Sequence, residues 1–257
     1  MLTSIVISLY ILAVGLIINQ LYKNNNSNNF LIIGLLISAI TLHLIDLNKI
    51  ISDNGIAFGI ANSIFVTTWT IGLLTLIVFI KKDIRFLAAI IYILLILILL
   101  AIQFFPDTNT KIITIDFASH ILISILSYSI LTLVFVHSIL LLMQDRHLHE
   151  KNINLFTQKF PSLQTMEELF FHMLYFGFVL LSLSLLSGFV FLEDIFAQHL
   201  AHKTVLSIIA WIIFAVLIVG HKTLGWRSKT AFIFYQIGFI LLITSYFGSK
   251  FVLEKLL

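Results

Sequence analysis

The sequence predicts an all-α, polytopic membrane helix bundle of about eight transmembrane helices, with both termini outside. Three observations carry that prediction. Hydrophobic residues make up 60% of the chain and charged residues only 11%, where a soluble domain carries about 25% charged residues to clothe its exterior. The mean hydropathy is +1.10. Apolar runs of near-spanning length recur along the whole chain, and a spanning helix needs about 20 such residues.

The first run, 2–21, has no basic residue before it and no small-x-small site after it, so it reads as a retained helix and not a removed signal. Further runs fall at 31–50, 57–80, 86–104, 117–143, 169–192, 203–221 and 231–250. Short polar separators divide them: Lys23 to Asn29, Asp53-Asn54-Gly55, Lys81-Lys82-Asp83 and Pro106 to Asn109. The one long separator, about 144–168, contains Thr165-Met166-Glu167-Glu168. That spacing reads as a capping box, with Thr165 as N-cap of the sixth helix. Both prolines, Pro106 and Pro161, lie in separators, where they break no helix. No repeat or linker divides the chain, so 1–257 reads as one integral membrane domain.

The basic residues set the orientation. Lys23, Lys81, Lys82, Arg85, Arg146, Lys151, Lys159, Lys222, Arg227 and Lys229 fall on one side, and Lys49, Lys111, Lys203, Lys250 and Lys255 on the other. The positive-inside rule places the richer side in the cytoplasm and both termini outside. The pI near 9.1 is accounted for by this topology, which leaves nucleic-acid binding without support. The lipid bilayer is the partner for most of the surface.

With no cysteine, disulfides, thiolate metal sites and a thiol nucleophile are excluded. There is no Gly-x-Ser-x-Gly elbow and no paired carboxylates within a span, so acid–base or nucleophilic enzyme chemistry is the least supported class. Asp46 and Asp116 sit near the outer boundary and form no proton wire across the membrane.

Nine histidines stand out in so apolar a chain, because an ionisable residue within a membrane is costly and points to function. His43 falls toward the outer end of the second helix and His120 at the outer start of the fifth. His172 lies at the inner start of the sixth and His221 at the inner end of the seventh. His199 and His202 read as outer loop, and His147 and His149 as cytoplasmic loop. On a helical wheel His120, Ser124, Ser127, Tyr128, Leu131 and Ser138 share one face of the fifth helix, suited to close packing or a polar pocket. His137 points away from that stripe. The plain reading is that each histidine makes one interhelical hydrogen bond. Histidines on facing helices could instead hold haem iron, since neutral imidazole is a good axial ligand and an apolar bundle shelters the macrocycle. Lys49, Lys222 and Arg227 lie close in sequence as cations for propionates.

Several segments resemble one family. They are Ser119-His120 with Ser127-Tyr128; Phe171-His172 with Gly177-Phe178 and Ser187-Gly188; Ala210-Trp211; His221 with Gly225-Trp226-Arg227; and Tyr246-Phe247-Gly248-Ser249. In this order they resemble the cytochrome c assembly family, integral membrane proteins of CcsA and CcmC type, over about 57–250. Within it the chain is most similar to the YpjD/HemX-like branch, where a histidine also tends to fall at His43. The resemblance implies haem as cofactor, with His172 and His221 as an inner pair of iron ligands and His43 and His120 as an outer pair. It implies the inner membrane of a bacterium as location. Full members present haem through a tryptophan-rich segment between the sixth and seventh helices. Here Glu193 to Lys203 contains no tryptophan; the three are Trp69, Trp211 and Trp226. The resemblance therefore implies a haem-binding or haem-handling protein that is not a complete cytochrome c synthetase. Two alternatives stay open. One is a non-catalytic regulator or assembly partner of another membrane or haem-pathway protein, docking through the basic 144–168 loop. The other is an ion-transport accessory, although no inverted repeat is evident.

Overall fold

A computed structural model describes residues 2–23, 29–52, 55–105, 111–113, 115–150, 160–191 and 198–256. Among these residues eight α-helices follow in order: α1 Leu2–Lys23, α2 Asn29–Leu47, α3 Ile60–Lys81, α4 Arg85–Phe104, α5 Ile115–His149, α6 Leu163–Phe191, α7 Gln198–Leu224 and α8 Ser228–Leu256. The all-α membrane bundle expected from the sequence is what forms. Seven of the helices are long and apolar enough to cross a membrane, and in α8 the described apolar stretch is Lys229–Ser245.

Several boundaries differ from expectation, three of them with a visible cause. The third helix starts at Ile60, not near residue 57, because Gly55–Phe58 forms a strand instead (β2). It pairs antiparallel with Ile51–Ser52 (β1), Ile51 opposite Ile56, and with Lys111–Ile113 (β3), Phe58 opposite Lys111. Two residues separate Ser52 from its partner Gly55, the spacing of a tight hairpin. Pairing the backbone groups satisfies this non-helical stretch beside the spans, where unpaired ones would be costly.

The fifth helix runs on to His149, so its 35 residues reach about 52 Å. That exceeds the roughly 30 Å of hydrocarbon and carries Asp145, Arg146, His147 and His149 beyond it. His147 and His149 are thus helical and not loop residues. Each donates from Nδ1 to the carbonyl four residues earlier, at 2.7 Å to Met143 and 2.8 Å to Asp145. Only Lys151 to Lys159 of the long separator lie outside the described residues.

The sixth helix is capped earlier than its Thr165-Met166-Glu167-Glu168 motif suggests. Ser162 Oγ accepts the Thr165 N–H at 3.3 Å and bonds Thr165 Oγ1 at 2.8 Å. Ser162 is therefore the N-cap and Thr165 the third helical residue, with Pro161 just outside. The three extra residues let the helix use a serine that can reach back over its own first turn.

The chain forms two compact units, residues 1–119 with 155–161, and residues 120–154 with 162–257. In the first, α1 packs on α2 and α4, and α3 on α2 and α4. Tyr10 and Tyr92 pack ring to ring at its centre, 5.2 Å apart, and the Tyr92 hydroxyl donates to the Gly72 carbonyl at 3.0 Å. In the second, α7 packs along α8 and on α6. Its core is aromatic: Phe170 meets Phe232 and Tyr235 edge-on, and Tyr235 stacks on Phe214. The Tyr235 hydroxyl donates to the Leu131 carbonyl of α5 at 2.5 Å, which satisfies a buried hydroxyl that water does not reach.

Candidate functional site

Small residues bring α5 and α6 together. A Cβ on Gly177 would lie 2.9 Å from Leu131 Cδ2, and Ser127 Oγ donates to the Gly177 carbonyl at 3.3 Å. The stripe read from the fifth helix thus faces the sixth, as a small-residue interface between membrane helices requires. At its end Gly188 leaves the space in which the His120 ring sits: a Cβ there would lie only 3.3 Å from Cε1.

The hydrogen bonds between these side chains fit one arrangement of protons. Ser187 Oγ donates to the Ser184 carbonyl at 2.9 Å, which uses its only hydrogen. Its 2.8 Å bond to His120 Nδ1 must therefore be donated by the imidazole. Likewise Ser124 Oγ donates to the His120 carbonyl at 2.8 Å, so Ser184 is the donor in the 2.6 Å Ser124–Ser184 bond. A closed ring of hydrogen bonds joins the two helices. It holds His120 as the Nδ1–H tautomer, and Nε2 carries the lone pair. An acceptor behind one ring nitrogen is how ligating histidines are oriented.

His221 is held by a different device with the same result. Gly225 takes φ +65°, the left-handed conformation glycine favours after a helix. Trp226 then folds back over α7: its N–H donates to the Gly220 carbonyl at 3.2 Å, and a Cβ on Gly220 would lie 2.6 Å from Cδ2 of its ring. Its carbonyl accepts from His221 Nδ1 at 2.8 Å. A carbonyl only accepts, so His221 is also the Nδ1–H tautomer with its lone pair on Nε2. The ring stacked on His221 is Phe171, at 3.4 Å between centroids and 13° between planes. Lys222 Nζ lies 5.1 Å from the centre of the Tyr175 ring.

His172, the neighbour of Phe171, is exposed and donates from Nδ1 to the Glu168 carbonyl at 2.6 Å. His147 and His149 make the same bond to the preceding turn, so it sets the tautomer without marking a site. What α6 lays on His221 is Phe171 and not His172.

His43 belongs to the first unit. It is fully buried, and neither ring nitrogen has a hydrogen-bond partner among the described residues. Phe65 lies 4.4 Å away, tilted by 54°. One turn on, Asp46 is also buried; it accepts from Thr3 Oγ1 at 2.6 Å and is ion-paired with Lys49. Nearby, Trp69 Nε1 donates to the Ile40 carbonyl at 3.0 Å. Burying an imidazole is costly unless its nitrogens find partners, and the groups that face His43 are the Phe65 backbone and Asp46.

His137, which the helical wheel turns away from the stripe, also meets α6. Its Nε2 donates to the Met166 carbonyl at 2.8 Å, while the buried Nδ1 has no partner among the described residues. His137 lies 17 residues from His120, about 26 Å along the helix, and its contact is with the first turn of α6, at Met166. The sequence signal lies in the buried set Val134, His137 and Leu141, at core spacing on one helical stripe. His199 and His202 fall in the first turns of α7 and not in a loop; their side chains lie outside the described set. Among the described residues no three His, Asp or Glu side chains gather as a metal cluster.

Comparison with known proteins gives a consistent answer. Residues 57–257 match the family model described as cytochrome C assembly protein. The chain is 35% identical over 133 residues to the inner membrane protein YpjD of Escherichia coli, covering 52% of this chain and 50% of that protein. It is 30% identical over 140 residues to an uncharacterised 28.8 kDa protein in the nifR3-like 5′ region of Azospirillum brasilense, covering 54% and 52%. The chain thus spans about half the length of the curated relatives it matches. No solved structure matches.

Proposed function

This chain belongs to the cytochrome c assembly protein family, and from that premise we propose that it is a haem-handling protein of the bacterial inner membrane, without the full cytochrome c synthetase activity. Both termini are external in this reading. His43, His120, His172 and His221 serve as haem-iron ligands.

The observation that carries the proposal is the proton assignment at His120, where Ser187 accepts from Nδ1 and leaves the lone pair on Nε2. His221 gains the same tautomer from the Trp226 carbonyl. The donor set fits the cofactor: these imidazoles are oriented from behind, and His43 has two buried nitrogens that lack partners among the described residues. Haem would supply a redox-active iron, and the neutral imidazole nitrogens of these histidines would hold it. The chain's own residues do the rest. Ser187 and Trp226 fix tautomers, Phe171 restrains the His221 ring, and Lys49, Lys222 and Arg227 are the cations for propionates.

The test is optical. Full-length protein, purified and supplemented with haem, should show a Soret band. Single alanine substitutions at His43, His120, His172 and His221 should each shift or weaken it, while His137→Ala, whose Nε2 is committed to Met166, should leave its position unchanged. A protein that stays colourless, or a band indifferent to all four substitutions, refutes the reading.

A further inference from the structure

A basic cleft lies in the first unit, and no histidine lines it. The ends of α3 and α4 and the start of α2 line an open cleft of about 230 Å³. Its polar wall is Lys81, Lys82, Asp83 and Arg85, and its apolar wall includes Ile33 and Ile80. Three cations against one carboxylate leave a net charge of +2. The Arg85 fork is committed: Nε donates to Asp83 Oδ1 at 2.8 Å and Nη2 to Oδ2 at 2.7 Å. Lys81 and Lys82 are exposed, and no ion pair reaches either among the described residues.

The position matters as much as the charge. The apolar span of α3 ends at Lys81 and that of α4 begins at Arg85, so the cleft opens where hydrocarbon gives way to headgroups. Ile80 is 55% exposed on the lipid side of that boundary. A ligand suited to both walls is an amphiphile whose anionic head meets lysine and whose first methylenes meet isoleucine.

We propose that this cleft binds the phosphate headgroup of an anionic phospholipid, with Lys81 and Lys82 as its charge partners. Basic pockets between membrane helices at the interface have this recognition chemistry. A free phosphate would use the lysines alone and gain nothing from the apolar wall. Asp83 has a double effect: it orients Arg85 and repels the ligand. The proposal is independent of haem binding.

The experiment is native mass spectrometry of the detergent-solubilised full chain. Phosphatidylglycerol, phosphatidylcholine and inorganic phosphate are titrated separately. One saturable phosphatidylglycerol is expected, with no matching phosphatidylcholine. The double variant Lys81→Gln/Lys82→Gln should weaken it about thirtyfold, since each lysine near an anionic headgroup contributes roughly a factor of five. Asp83→Asn should tighten it about fivefold by raising the net charge to +3. Lys23→Gln/Lys229→Gln, which removes two exposed lysines outside the cleft, should change nothing. The opposite responses of the lysine and Asp83 variants keep the result readable even if one of them folds poorly. Equal loss in the control pair, non-saturable binding, or displacement by an equal concentration of inorganic phosphate overturns the proposal.

Discussion

Replacing Gly220 by alanine tests the elbow that orients His221. The added Cβ would lie 2.6 Å from Trp226 Cδ2 and closer still to Cε3. Ordinary carbon contacts begin near 3.5 Å, so the indole must retreat by about 1 Å. Its retreat is opposed by the Phe234 ring 5.2 Å away, and a shift of the backbone would strain the bonds of its N–H to Gly220 and its carbonyl to His221. Overpacking of this kind costs about 1–3 kcal/mol, and each strained hydrogen bond about 0.5–1.5 kcal/mol more. Alanine's better helix propensity returns at most about 1 kcal/mol, and less in lipid, where backbone hydrogen bonding is enforced in any case. The net is a loss of about 1–6 kcal/mol. The control is Gly15→Ala in α1, where nothing lies within 4 Å of the new Cβ, so propensity acts alone. Thermal melts in detergent should place Gly220→Ala several degrees below wild type, at roughly 2–4 °C per kcal/mol, and Gly15→Ala at or above it. In a background with Trp69 and Trp211 replaced by phenylalanine, Trp226 emission should shift in the Gly220 variant. Unchanged melting and unchanged emission together would refute the folded-back turn.

Three further outcomes follow from particular bonds. Ser187→Ala removes the acceptor for His120 Nδ1; nitrogen-resolved NMR should show His120 passing from one tautomer to a mixture, and haem affinity should fall about 10- to 100-fold. Gly238→Ala puts a Cβ 2.7 Å from the Phe214 ring, and should destabilise the α7–α8 pair by about 1–3 kcal/mol in the same melts. The Arg85 guanidinium holds the Asp83 carboxyl below its ordinary value. A depressed carboxylate contributes stability above its unfolded pKa and loses it as pH falls through the folded one. Melting temperature should therefore drop slightly on acidification below the usual carboxylate range. That increment should vanish in Asp83→Asn and stay under about 1 kcal/mol, because the pair is solvated.

Some of the site is legible from the chain alone. The stripe of His120, Ser124, Ser127 and Leu131 follows from helical period, and it does face α6 through Ser187, Ser184 and Gly177. Gly177, Gly188, Trp211 and Trp226, which stand out as pieces of a family pattern, have physical roles: two glycines admit close neighbours, Trp211 donates to Ser182, and Trp226 caps α7. His137 escapes such a reading because its partner, the Met166 carbonyl, belongs to another helix 29 residues on, and a wheel shows one helix at a time. The strands between Ile51 and Phe58 escape it because a short apolar run has no period to separate it from the end of a helix.

What the sequence determined by itself is the solvent and the number of helices. Sixty per cent hydrophobic residues in near-spanning runs leave lipid as the only medium, and in lipid the backbone must satisfy itself within each helix. Those constraints act locally and need no knowledge of neighbours. Which nitrogen of His120 carries its proton, why Phe171 and not His172 covers His221, and that His43 is buried without partners among the described residues were decided only by tertiary packing. Each depends on groups far apart in the chain, such as Ser187 for His120 and Phe171 for His221, and no local period or composition encodes which side chains will share a hydrogen.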